Sequence, residues 1–107
     1  MFTRVVEVTT KAGKARDLTR TVNDKVLPIL KNQPGFLDEI TLVSDEDQNR
    51  ILAISFWKSK ENADVYQREQ FAKVNEIIHN LIEGTPQVRT FEVEQSTVHK
   101  IAAGRAA

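Results

Sequence analysis

Residues 51–57, Ile51-Leu-Ala-Ile-Ser-Phe-Trp57, form an almost unbroken apolar run that stops at the polar stretch Lys58-Ser-Lys-Glu-Asn62. In an extended strand successive side chains point to opposite faces. A strand with one wet face therefore alternates, and this one does not. Ile51, Ala53 and Trp57 lie on one side, Leu52, Ile54 and Phe56 on the other. Both faces must leave water. If the chain is a single sheet with helices on one side, a second copy is the simplest cover for the other side.

The remaining pattern supplies that architecture. Residues 2–9 hold Phe2, Val5, Val6 and Val8 and read as a strand, closed by a turn at Gly13. From Lys14 to Asn32 apolar residues fall at helical spacing, with Pro28 expected to kink the helix near residues 25–27. Pro34 and Gly35 stop it. Residues 36–43 alternate, with Phe36, Ile40 and Leu42 set against Asp38, and a polar hairpin loop leads into the strand at 50–57. Ser59 is a good N-cap for a second helical segment running to Glu83. The all-polar residues 67–70 suggest a joint within it, and Gly84 and Pro86 are expected to end it. Residues 87–95 make a last strand. Residues 1–95 are expected to form one domain, and residues 96–107 a loose C-terminal tail.

The order β-α-β-β-α-β predicts an α+β, ferredoxin-like fold, an antiparallel sheet with both helices on one face. Burying each exposed Leu, Ile or Phe of the open face is worth roughly 1.5–3 kcal/mol, so a homodimer through the helix-free face is expected.

Composition limits the function. Fifteen basic and fifteen acidic residues cancel without a basic block, which argues against nucleic acid. No cysteine is present, so disulfides and thiolate chemistry are excluded. No apolar stretch approaches the ~20 residues of a membrane span, and no secretory pattern opens the chain, so the cytoplasm is the expected location. Asp45, Asp47 and Asn49 have the spacing that begins a calcium loop, but Arg50 stands where that loop needs Gly. His79 and His99 lack paired zinc-ligand spacing.

Gln33-Pro-Gly-Phe36, Phe56-Trp-Lys-Ser-Lys-Glu61, Gln70-Phe71 and Pro86-Gln-Val-Arg-Thr-Phe91, in this order and spacing, resemble the antibiotic biosynthesis monooxygenase (ABM) family. The resemblance runs from about Phe2 to Glu94. It implies a dimeric α/β barrel in which two sheets pack together. It also implies a range of functions, including cofactor-free oxygenation of quinols and polyketide aromatics, and haem degradation. The haem-degrading branch carries an Asn, a Trp and a His where this sequence has Val6, Tyr66 and either Glu76 or Asn75, so haem degradation is not expected.

Asn75 follows Phe71 by four residues, His79 comes one turn after Asn75, and Arg68 lies two turns before Asn75 if the helix is continuous. These residues are the expected polar edge of a cavity between helices and sheet. Asn75 and His79 could hydrogen-bond a phenolate or enolate, with Tyr66 as a further donor and Phe71 as apolar wall. A boundary strip facing water is the competing reading of the same residues, and Trp57 reads as packing. The expected function is a cofactor-independent monooxygenase acting on a quinol or hydroxylated aromatic, needing no metal or organic cofactor. The alternatives are a non-catalytic small-molecule-binding or stress-related dimer, and an isomerase or lactone-processing enzyme.

Overall fold

The computed structural model describes residues 1–101. Strand β1 (Phe2–Thr10) leads to a helical stretch made of α1 (Ala15–Thr21), a π-helical turn (Val22–Val26) and α2 (Leu27–Lys31). A hairpin of β2 (Phe36–Val43) and β3 (Arg50–Trp57) follows. Helices α3 (Lys60–Glu69) and α4 (Phe71–Ile78), a 3₁₀ turn (His79–Leu81) and β4 (Ile82–Glu92) complete the order. The strands form one antiparallel sheet in the order β2-β3-β1-β4. This is the ferredoxin-like α+β fold that the sequence pattern implies.

The two faces of β3 part as their alternation requires. Cross-strand partners share a face, and β1 pairs Phe2 with Trp57, Arg4 with Ser55, Val6 with Ala53 and Val8 with Ile51. These residues lie under the helices, where Ile51, Ser55 and Trp57 are buried. Leu52, Ile54 and Phe56 face the other way, beside Ile40 and Leu42 of β2. Ile40 and Leu42 are 45% and 44% exposed, so an apolar stripe covers the open face.

One displacement of register decides what β2 sends inward. A bulge between Phe36 and Asp38 inserts an extra residue opposite β3. Phe36 therefore stays with Trp57 on the helix side, while Ile40 and Leu42 move to the open face. Simple alternation would have kept these three residues together. Glu39 and Thr41 take the inward positions instead, opposite Ser55 and Ala53.

Elsewhere the local chemistry modifies the expected elements. Pro28 lacks an N–H and crowds the preceding turn, and the chain accommodates it with the π-helical turn, where a kink is expected. Ser59 caps α3, its Oγ accepting from Asn62 N at 3.2 Å. The joint at residues 67–70 is real: Gln70 leaves helical geometry at φ −123° and ψ −26°. Gly84 and Pro86 do not end the helix, which stops at Ile78. They lie inside β4, between residues paired with Glu7 and Thr9, as a bulge in an edge strand that can tolerate a missing donor.

Residues 96–101 are not loose. Ser96 and Ile101 exchange backbone hydrogen bonds at 2.8 Å, and Ile101 is buried. The His99 ring packs against Phe56 at a tilt of 44° with centroids 4.9 Å apart, and its Nε2 lies 3.2 Å from Asp38 Oδ1. The segment thus covers one end of the open face. Residues 102–107, the rest of the expected tail, lie outside the described residues.

Gly35 joins α2 to β2 at φ +79°, where a Cβ would lie 2.2 Å from the Asn62 side chain. Gly35→Ala should therefore cost more than the ~1–2 kcal/mol of left-handed backbone alone. Adding Asn62→Gly should recover the clash but not the backbone term, as read by urea denaturation of both variants.

Candidate active site

A cavity of about 50 Å³ lies between the sheet and the helices. Its floor is Arg4 and Val6 of β1, Glu39 of β2, and Ala53 and Ser55 of β3. Val22, Val26 and Leu30 wall one side, and Tyr66, Phe71 and Val74 the other. At this size it holds no more than a few waters.

The register explains why polar groups gather in an otherwise apolar layer. Ser55 pairs with Arg4 on one side and Glu39 on the other. The three side chains therefore form a polar row across three adjacent strands. Ser55 Oγ accepts a hydrogen bond from Trp57 Nε1 at 2.9 Å, which fixes the centre of that row.

Arg4 is the unusual member. It is 3% exposed, and among the described residues no carboxylate pairs with it. Its guanidinium carbon lies 4.9 Å from the centroids of both the Tyr66 and Phe71 rings. Each such cation–π contact is worth about 0.5–2 kcal/mol. Arg4 Nη2 donates to Gln67 Oε1. Burial pushes the Arg4 pKa below its ordinary value, and the neighbouring Tyr66 opposes that shift. Burial pushes the Tyr66 phenol up, against the pull of Arg4, so it remains a hydrogen-bond donor at neutral pH.

Glu39 stands at the other end of the row. Burial raises its carboxyl pKa, Asp38 adds to this, and the hydrogen bond from Thr41 Oγ1, 2.8 Å to Oε2, works against it. Glu39 also borders an outer groove formed by Leu27, Lys31, Phe36, Leu37 and Asp38.

Of the residues expected at the site, Tyr66 and Phe71 line the cavity. Asn75, His79 and Arg68 do not. The break at Gln70 resets the helical phase, so Val74 and Ile78 are the buried residues of α4 and half-buried Asn75 sits one step round from Val74. His79 is exposed in the 3₁₀ turn, and Arg68 is exposed beside Glu69 at 3.4 Å. Arg4 and Glu39 are the functional candidates that residue spacing missed. Arg4 could have been found as a charge in step with Phe2, Val6 and Val8. Among the described residues no cluster of three His, Asp or Glu could hold a metal, and no helix is long and apolar enough to cross a membrane.

A ferredoxin-like sheet with a cavity beneath its helices defines a class of small α+β proteins, and comparisons narrow that class. The family model for antibiotic biosynthesis monooxygenase matches residues 1–77, and the chain belongs to that family. No match was found among curated protein sequences. Solved structures share the fold at low identity. A monooxygenase of Streptomyces coelicolor in complex with nanaomycin D matches at 20% identity, with 84% of each chain covered and a TM-score of 0.73. A variant of SnoaB, a cofactor-independent oxygenase of Streptomyces nogalater, matches at 20% identity, covering 90% of this chain and 95% of its own, with a TM-score of 0.74. A Bordetella bronchiseptica protein described as an antibiotic biosynthesis monooxygenase matches at 17%, covering 86% and 95%, with a TM-score of 0.75.

The Glu39 shift has a thermodynamic sign. A carboxyl whose folded pKa is raised contributes stability only below its unfolded pKa, and the ionised form is a cost at higher pH. Glu39→Gln should therefore stabilise the protein at pH 7. The gain should vanish as pH falls below about 4.5, where the carboxyl is protonated in both states. Urea denaturation across that range measures it.

Proposed function

We propose that the protein is a cofactor-independent monooxygenase acting on a quinol or hydroxylated aromatic, with its substrate held between the helices and the sheet. The observation that carries this reading is the buried Arg4 guanidinium, 4.9 Å from the ring centroids of Tyr66 and Phe71 and, among the described residues, without a carboxylate partner. A buried cation of this kind suits a ligand that brings its own negative charge and a flat ring. An ionised hydroxyaromatic is both. Family membership and the oxygenase neighbours support the reaction type.

The chemistry asks little of the protein. An ionised electron-rich ring can itself reduce oxygen. For an anthrone-type methylene the balance is CH₂ plus O₂ giving C=O plus H₂O, all four electrons coming from the substrate. Arg4 steadies the anion, Tyr66 donates a hydrogen bond, and the apolar residues keep water out. Entry of a ring into about 50 Å³ requires the walls to separate. The π-helical turn bearing Val22 and Val26 and the joint before Phe71 are the wall segments interrupted in their regular helix bonding.

The small size of the cavity also favours the second reading, a non-catalytic small-molecule-binding protein. Oxygen uptake over a panel of anthrones and quinols, without added cofactor, separates the two. Turnover should occur, chelators should leave it unchanged, and Arg4→Met should lower kcat/KM by about 10²–10³ while the fold persists. No oxidation across the panel would leave the binding-protein reading.

We further propose that a second copy covers the open sheet face. The uncovered stripe of Ile40, Leu42, Leu52, Ile54 and Phe91 supports this, bordered at one end by Glu7 with Arg89 at 2.9 Å and Arg50 at 3.4 Å. Light scattering at micromolar concentration should give a dimer mass, and Ile54→Lys a monomer or an unfolded chain.

A further inference from the structure

We propose that Glu39 is the general base of the cavity, taking the acidic proton of a bound aromatic ligand and releasing it to solvent through the outer groove. The proposal rests on the ligand reading of the cavity given above. Glu39 borders both the internal cavity and the surface groove that contains Lys31 and Asp38. A carboxylate at that seam can receive a proton from within and return it outside. Neither Arg4 nor Tyr66 can do this, because a guanidinium is not deprotonated in proteins and burial raises the Tyr66 phenol so that it keeps its proton.

The register adds a division of labour. Glu39 and Arg4 lie two strands apart, with Ser55 between them. Two strand spacings separate their backbones by about 9.6 Å. An anthrone-type ring loses its proton at one edge of the central ring and carries the resulting charge on the oxygen at the opposite edge. Glu39 and Arg4 are placed to serve those two edges. In the step the C–H bond breaks, its electron pair enters the ring and moves to the oxygen, and the proton bonds to a Glu39 oxygen. The charge passes from the carboxylate to the ligand oxygen, where Arg4 pairs with it.

The charged and titratable groups facing Glu39 are Arg4 and Tyr66 across the cavity, and Lys31 and Asp38 on the groove side. Burial and Asp38 raise the Glu39 pKa, which makes it a stronger base than an exposed carboxylate. Thr41 Oγ1 holds one oxygen, Oε2, at 2.8 Å and so orients the carboxylate.

The test is proton exchange without oxidation. An anthrone is incubated anaerobically in D₂O with the protein, and loss of the methylene proton signal is followed by NMR. Wild type should accelerate exchange, and Glu39→Gln should slow it by about 10²–10⁴-fold, the usual worth of general-base catalysis. Glu39→Asp should retain part of the rate, and Glu39→Gln should still bind a hydroxyanthraquinone, which cannot be oxidised in this way. Exchange by Glu39→Gln at the wild-type rate would overturn the assignment, as would no exchange above buffer by wild type. Exchange without oxygen uptake in air would remove the oxygenase reading and leave Glu39 as base. Oxygen uptake without anaerobic exchange would do the reverse. If Glu39→Gln fails to fold, the pH profile of wild-type exchange decides. A plateau above a carboxylate titration supports the proposal, and a rate that only follows hydroxide overturns it.

Discussion

The Trp57 indole is the point to which the other contacts refer. It is fully buried, meets Phe36 edge-on at 5.6 Å between ring centroids, and lies 5.2 Å from Tyr66. Its Nε1 bonds Ser55 Oγ two residues back along the same strand. One side chain thus ties β2, β3 and α3 together and sets the height at which Tyr66 stands above the sheet. With Tyr66 fixed, Arg4 has a ring to lie against. Phe71, 6.4 Å from Tyr66, closes the other side. A residue read in the sequence as packing is what makes the polar row possible.

Three strands were legible because period-2 alternation and turn chemistry are local, whereas β4, expected at 87–95, runs over Ile82–Glu92 because the helix before it stops early. Arg50 to Trp57 and Phe36 to Val43 have the boundaries their residues suggest. What lay beyond reach was phase. The bulge beside Leu37 turns Glu39 inward and Ile40 outward, and no residue type announces it. The break at Gln70 likewise separates Arg68 from the α4 face and leaves Asn75 beside the buried stripe. Tyr66 and Phe71 were within reach because aromatic rings flanking a helix joint are pulled towards apolar surroundings from either side. Arg4 was readable as an inward charge, whereas the lack of a carboxylate partner among the described residues required the fold. Gly84 and Pro86 misled because the same pair that stops helices also makes a bulge.

Arg4 and Glu39 are held in the sheet at a cost in stability. Arg4 gives up hydration for two rings and one amide oxygen, and Glu39 sits where burial raises its pKa. Apolar residues of similar size would suit the fold as well or better. Buried groups with such a cost are candidates for a functional site on physical grounds, which residue spacing along a helix does not supply.

Both margins of the sheet are interrupted. β2 carries its bulge at the Phe36 end, and β4 has Gly84 and Pro86 where Val8 has no regular partner. A flat margin would present a ladder of free amides and carbonyls, the template on which fibrils grow. Here the kinks and the proline deny that template, and the sticky surface is a face instead of a rim. Growth through rims has no natural end, whereas two faces that meet across a twofold axis consume each other. The geometry of the margins therefore steers a chain with an exposed apolar stripe away from open-ended polymerisation through its sheet edges.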